Sequence, residues 1–321
     1  MRSLKKFMAA GLAAAMVFSM TACSSKPAET AAPETQAETT ADTTAEAVEE
    51  AKTEAAEAVE GKDPAEVKVG ISIYQFADNF MTVYRQELER YLTEELGVKK
   101  ENISIMDGKN DQGEQMNQIR NFITTGVDVM IINLVQASSE PTVTEECAKA
   151  GIPVVYINRE PEAEREQAWV DEGIKATYVG ADARQSGTFQ GEEIAELENK
   201  GDADGDGVVR YIMVQGDPEN VDAQYRTEFS IKALTDAGIE VEELVKMRGD
   251  WDQTKGQEIT ANALAQHGAK IDVVFCNNDA MALGALQAIE AAGRTVNKDI
   301  YLVGVDALVE AVENVMNDKM T

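Results

Sequence analysis

The sequence predicts an α/β fold of two doubly wound, parallel-sheet lobes facing each other across a cleft. Three observations predict it. From Val67 onward, short β-branched apolar runs alternate with amphipathic stretches of helical period. The apolar runs are continuous, which marks strands covered on both faces and hence parallel, joined by right-handed crossovers. The alternation lasts about 255 residues, more than one sheet usually takes, so two domains are expected, 65–180 and 181–321, with the boundary near Gly180.

In chain order, Met1 to Ala22 has a basic start (Arg2, Lys5, Lys6), an apolar run and small residues before Cys23, the pattern of a secretory leader. Met20-Thr21-Ala22-Cys23 resembles a bacterial lipoprotein processing site, with Met20 where Leu is usual, which makes Cys23 the expected lipidated residue. Residues 24–64 are Ala, Glu, Thr and Pro with few large apolar side chains; such a segment cannot offset its ordering entropy, so an acidic disordered tether is expected. The first lobe should place strands at 67–74, 103–106, 129–134, 153–157 and 177–180 and helices at 79–96, 113–124 and 141–150. Phe80, Val83, Tyr84, Leu88, Tyr91 and Leu92 give the first of these helices its apolar face. The second lobe should place strands at 208–214, 239–245, 272–276 and 300–304 and helices at 186–199, 223–237, 253–267, 280–292 and 308–317.

The formal net charge of −29 excludes nucleic acid as a natural partner and leaves membrane attachment to Cys23 alone. Cys147 and Cys276 read as buried free thiols, and the single histidine, His267, reads as a helix-terminus residue, so neither a zinc site nor a His-dependent triad is supported. No glycine-rich dinucleotide or phosphate motif follows a predicted strand.

The informative polar and aromatic residues lie past the C-terminal ends of predicted strands, the edge where open α/β sheets bind ligands. They are Asp78, Asp222 and Asp306, the amides Asn158, Asn220 and Asn278, Arg226, and the aromatics Phe80 and Trp251. Carboxylates accept from vicinal hydroxyls, amides donate and accept, Arg donates a fork, and two aromatics can sandwich C–H faces, so the set suits a neutral polyol such as a pyranose. The plainer alternatives are core packing for Phe80 and Trp251 and helix N-capping for Asp78, Asp222 and Asp279.

Asp202-Ala-Asp204-Gly-Asp206-Gly207 fits the first six positions of a calcium loop, with the Val208 carbonyl at the seventh. Position twelve is Met213, so a bidentate carboxylate must come from elsewhere. Arg210 introduces the alternative that its guanidinium pairs with the aspartates in place of an ion.

Seven motifs in order, Y-x-x-x-D-N-F-M (74–81), N-D-Q (110–112), I-N-L (132–134), Y-V-G (178–180), D-x-D-x-D-G (202–207), N-N-D-A-M-A (277–282) and G-V-D-A-L (304–308), resemble the galactose/glucose-binding proteins of bacterial ABC transporters. The resemblance implies a type I periplasmic binding protein fold of two Rossmann-like lobes joined by a hinge. It also implies a monomer at the cell surface or in the periplasm that closes on an aldohexose and presents it to an ABC permease or, alternatively, to a chemoreceptor or sensor kinase. Sugar contacts are implied at Tyr74, Asp78, Phe80, Asn158, Asp222, Arg226, Trp251, Asn278 and Asp306, and a structural Ca2+ at Asp202, Asp204, Asp206, Val208 and Asp272. Three departures stand out: Asn220 replaces a sugar-holding His, Arg210 replaces a Gln ligand and Asp272 a Glu, and the family's chain would continue past Thr321 to complete the first lobe. A hydrogen-bonding set of this kind points to recognition and not to glycosidase chemistry. The leader, and the lack of a basic helix-turn-helix, exclude a transcription regulator.

Overall fold

The computed structural model describes residues 62–321; the leader, Cys23 and nearly all of the expected tether lie outside the described residues. The first sheet holds β1 (Val69–Ile73), β2 (Ile103–Asp107), β3 (Val129–Ile132), β4 (Val154–Ile157) and β5 (Ala176–Val179), all parallel, in the order β2-β1-β3-β4-β5. Around it lie α1 (Asn79–Arg90), α2 (Gln112–Thr125), α3 (Glu140–Ala150) and α4 (Ala163–Asp171). The second sheet holds β6 (Val209–Gln215), β7 (Val241–Arg248), β8 (Val273–Cys276) and β9 (Tyr301–Val303), parallel in the order β7-β6-β8-β9. Its helices are α5 (Ala183–Ala195), α6 (Val221–Asp236), α7 (Gln253–His267), α8 (Asp279–Ala291) and α9 (Val309–Met316).

Both sheets reverse strand order beside their first strand, between β1 and β3 and between β6 and β8, and such switch points open a crevice at the strands' C-terminal ends. The central strand β1 is buried at all five positions, and its one polar residue, Ser72, donates to Gln118 Oε1 at 3.0 Å and accepts from Gln115 Nε2. Asx caps start the helices along the same edge: Asp78, Asp111, Asp182, Asn220, Asp252 and Asn278 each accept a backbone N–H in the first turn of the helix that follows. In the second lobe α7 and α8 lie close because Gly284 has no side chain; a Cβ there would sit 1.9 Å from the Gln253 carbonyl oxygen. Cys147 and Cys276 are buried free thiols, one in each lobe. His267 is the last residue of α7. No helix among the described residues is long and apolar enough to cross a membrane.

The chain passes from the first sheet to the second between Val179 and Ala183. Gly180 allows this passage, since a Cβ there would lie 1.8 Å from Tyr178 Oη. Among the described residues, no hydrogen bond or ion pair joins residues 65–180 to residues 181–321 beyond the passage itself.

The sequence expectation misses α4 and starts α5 at residue 186 where the structure starts it at Ala183; it ends the strand at 245 where β7 runs to Arg248. The charged run before Trp169 hides the period of α4, whose anchor is tertiary. Glu140, fully buried on α3, accepts from Trp169 Nε1 at 2.8 Å, Arg165 Nε at 2.7 Å and Thr144 Oγ1 at 2.5 Å. Removing that carboxylate strands the buried indole N–H, while Arg165, being partly exposed, turns to water. Glu140→Ala should therefore lower stability by about 2–3 kcal/mol, read as a lower urea midpoint at unchanged slope. A change below about 0.5 kcal/mol would mean that α4 is held without this network.

Candidate functional site

All ten residues singled out as ligand contacts line a single recess between the two lobes. From the first lobe come Tyr74, Asp78 and Phe80 after β1 and Asn158 after β4; from the second come Asn220, Asp222 and Arg226 after β6, Trp251 after β7, Asn278 after β8 and Asp306 after β9. Met81 and Arg159 complete the wall. The recess holds about 340 Å³ of space counted together with its open mouth.

Capping and lining are combined in several of these side chains. Asp78 caps α1 with Oδ1, accepting from Met81 N at 2.7 Å, and its Oδ2 accepts from Tyr74 Oη at 2.5 Å. Asn278 caps α8 through Oδ1, and its Nδ2 reaches the Trp251 carbonyl at 3.4 Å. Asp222, expected as a possible cap, is not one; the cap of α6 is Asn220, whose Oδ1 accepts from Asp222 N at 2.9 Å. With Oδ1 so used, only the Nδ2 of Asn220 is left without a protein partner among the described residues. Four lining or flanking positions adopt left-handed backbone, Asn158 (φ 64°), Asp250 (φ 51°), Trp251 (φ 65°) and Asp306 (φ 121°), a costly conformation outside glycine that concentrates at functional sites. Trp251 is seated on Gly216, where a Cβ would lie 2.3 Å from the indole.

Among the described residues, two groups in the recess are buried without a protein partner: the acceptor Asp222 Oδ1 and the donor Arg226 Nε. Arg226 spends Nη1 on the Asn277 carbonyl at 2.8 Å and lies 3.6 Å from Asp306. Burial raises the Asp222 carboxyl to about 6, with Arg226 pulling it back down and Glu160 pushing it up. Burial also lifts Asp306 well above the usual carboxylate range. Asp279, behind the wall, is raised to about 6 by burial and accepts from Leu308 N at 2.8 Å.

Arg159 and Asn133 were given no site role from the sequence, although Asn133 is the centre of the I-N-L motif. Arg159 is buried, its guanidinium lies 4.0 Å from the Tyr74 ring centre, and Nη1 donates to the Val135 carbonyl at 2.5 Å. Its position one residue after Asn158, at the same strand end, was the available signal. Asn133 is fully buried and orients the wall, donating from Nδ2 to Asn158 Oδ1 at 3.0 Å and accepting from Tyr74 N.

The acidic loop at the opposite end of β6 divides into two parts. Carboxylate oxygens of Asp202, Asp204 and Asp272 lie within 4.8 Å of one another, with Asp272 fully buried. Each is also held by backbone: Asp202 by Gly205 N and Gly207 N, Asp204 by Asp206 N, and Asp272 by Ala203 N and Arg210 N. Arg210 Nη1 instead takes Asp206 Oδ2 at 2.7 Å, and its Nε takes Glu242 at 2.9 Å. Val208 donates its N–H to Asp206 Oδ1. Arg210 Nη1 also lies 3.9 Å from Asp204 Oδ2, so the guanidinium reaches one of the three clustered acids as well as Asp206, and Asp202, Asp204 and Asp272 are the carboxylates that could hold a hard cation.

Residues 69–321 match a family described as a periplasmic binding protein domain. The chain is similar to the D-galactose/methyl-galactoside binding periplasmic protein of Haemophilus influenzae, 34% identical over 78% of this chain and 73% of that one. It is equally similar, at 34% identity over 76% of this chain and 74% of the relative, to a putative rhizopine-binding protein of Rhizobium meliloti. Among solved structures, an ABC transporter solute binding protein of Bacillus halodurans with bound myo-inositol superposes with a TM-score of 0.67 at 28% identity, over 81% of this chain and 82% of that one.

A folded pKa raised above the unfolded value means that Asp222 contributes stability below about pH 4 that is lost as pH rises through about 6. Without ligand, Asp222→Asn should thus be more stable than wild type at pH 7, by about 3 kcal/mol at most, and the gain should vanish by about pH 4. Melting curves across that range decide it; equal stability at pH 7 would show that the buried carboxylate costs nothing.

Proposed function

The chain belongs to the periplasmic binding protein family, and from that premise we propose that it captures an aldohexose such as glucose or galactose in the interlobe recess and delivers it to an ABC sugar permease. The family is one of binding proteins, so the role is non-catalytic and extracytoplasmic. The observation that carries the proposal is the buried pair of unpartnered groups, Asp222 Oδ1 and Arg226 Nε, in a recess whose two walls share no direct hydrogen bond. A polyol hydroxyl accepts from one group and donates to the other, and a ring spanning the recess supplies the bonds that the lobes do not make to each other. Phe80 and Trp251 offer apolar surface to the ring's C–H faces, while Tyr74, Asp78 and Arg159 stand on the first-lobe side. Ligand binding then closes the lobes, because only the closed form brings both walls to the ring. The permease reads that closed form, and a lipid on Cys23 would keep the protein at the membrane.

A calorimetric panel of glucose, galactose, xylose, ribose and myo-inositol on the complete protein tests the reading. At least one hexose should bind, and Trp251→Ala should weaken it about tenfold to a hundredfold, roughly 1.4–3 kcal/mol. If the histidine implied by the resemblance holds the hydroxymethyl end of a hexose, Asn220→His should raise the preference for hexose over xylose about threefold to tenfold by restoring one hydrogen bond there. No heat and no thermal shift with any sugar would overturn the assignment.

A structural Ca2+ on Asp202, Asp204 and Asp272 belongs to the same proposal; it would neutralise three converging acids and would have no part in sugar binding. With Asp206 engaged by Arg210, binding should be weak, and Arg210→Gln should tighten it by releasing the fourth carboxylate. Calcium titration of chelator-stripped protein should show this order of affinities; no heat from either protein would remove the ion from the account.

A further inference from the structure

A second, larger recess adjoins the inner one. The outer recess holds about 910 Å³ counted with its mouth, and Tyr74, Asp78, Arg159 and Trp251 line both spaces, so the two share a wall that includes the indole. Its far walls come from both lobes: Asn110 from the loop between β2 and α2, and Asp217, Arg248 and Lys255 from the second lobe. Lys109 and Asn110 (both φ 54°) and Asp250 and Trp251 (φ 51° and 65°) form two left-handed turns, one in each lobe, that shape the opposed rims. The second turn is held by Asp250, which pairs with both Arg248 and Lys255.

Those pairings decide the chemistry. Arg248 is further engaged by Asp217 at 3.4 Å, and Asp252 is occupied in capping α7, accepting from Lys255 N at 2.9 Å. Arg248 and Lys255 are thus matched by Asp217 and Asp250, Asp78 and Asp252 are engaged as helix caps and Arg159 by the Val135 carbonyl, so what the walls offer a ligand is a mixed set of donors and acceptors beside the indole. A monosaccharide confined to the inner site leaves this space to water.

We propose that the cleft accepts a ligand longer than a monosaccharide: a neutral glycoside of disaccharide size, one ring in the inner recess and the second unit in the outer recess between Asn110 and Lys255. The inference rests on the inner recess being a sugar site. Calorimetry with glucose, galactose, their methyl glycosides, and maltose, cellobiose, melibiose and lactose tests it on the complete protein. At least one disaccharide should bind as tightly as its parent monosaccharide or more tightly. Asn110→Gly, which keeps the left-handed turn but removes the amide, and Gln253→Ala, which removes an amide that lines only the outer recess, should each weaken that disaccharide threefold or more while monosaccharide affinity stays within twofold. The monosaccharide melting shift serves as the folding control for both variants. Monosaccharide binding with every disaccharide weaker by a hundredfold would overturn the outer site and leave the sugar-binding role standing. Disaccharide binding indifferent to both substitutions would likewise overturn it, and silence from every sugar would remove the role and the inference together.

Discussion

Incomplete satisfaction of polar groups at the interlobe surface is the constraint on which the rest of the structure depends. A folded protein pairs nearly all its buried donors and acceptors, yet here a carboxylate oxygen of Asp222 and the Nε of Arg226 are buried without protein partners at one locus. Within each lobe the inner strands are apolar and largely buried, while the edge strands β2, β5 and β7 are only partly covered. The lobes' own hydrogen bonds stop at the cleft. A polar ligand that fits the recess therefore serves two ends at once, satisfying stranded groups and joining two bodies that otherwise meet without hydrogen bonds.

Precision at that surface comes from helix starts. Asp78, Asn220 and Asn278 are fixed by capping their own helices, which removes most of their rotamer freedom before any ligand arrives. Capping and recognition are often weighed as alternatives for an Asp or Asn at a strand end. In this fold they are compatible, because a doubly wound sheet places every strand C-terminus, and so every following helix N-terminus, on the same edge. Arg159 is held differently, stacked on Tyr74 and tied to the Val135 carbonyl, and Asn133 braces the backbone on which Tyr74 and Asn158 sit.

The acidic loop lies at the other end of β6 from the recess, so its chemistry bears on how the second lobe is held and not on the ligand directly. Arg210 ties Asp206 to Glu242 on the neighbouring strand β7, and the Arg210 amide is received by the buried Asp272 at the start of β8. Three adjacent strands are pinned at that end whatever occupies the space among Asp202, Asp204 and Asp272.

Much of this was legible in the sequence because two of its signals are local. Continuous β-branched runs identify strands buried on both faces, and Asp or Asn immediately after such a run identifies a helix cap at the sheet's C-terminal edge; both depend on neighbours within a few residues. The sequence by itself thus determined two parallel-sheet lobes, every strand, all but one of the α-helices, and the ten residues gathered at the recess. Tertiary structure alone decided the rest. The helix α4 depends on Glu140, a partner over twenty residues away that accepts from Trp169 and Arg165 in the dark interior of the lobe. The buried state of Arg159, the division of Asn220 between cap and cleft, and the outer recess shared with Trp251 depend on which side chains converge from elements far apart in the chain. Such contacts are set by packing and by competition for hydrogen-bond partners, and no short-range pattern of residues encodes them.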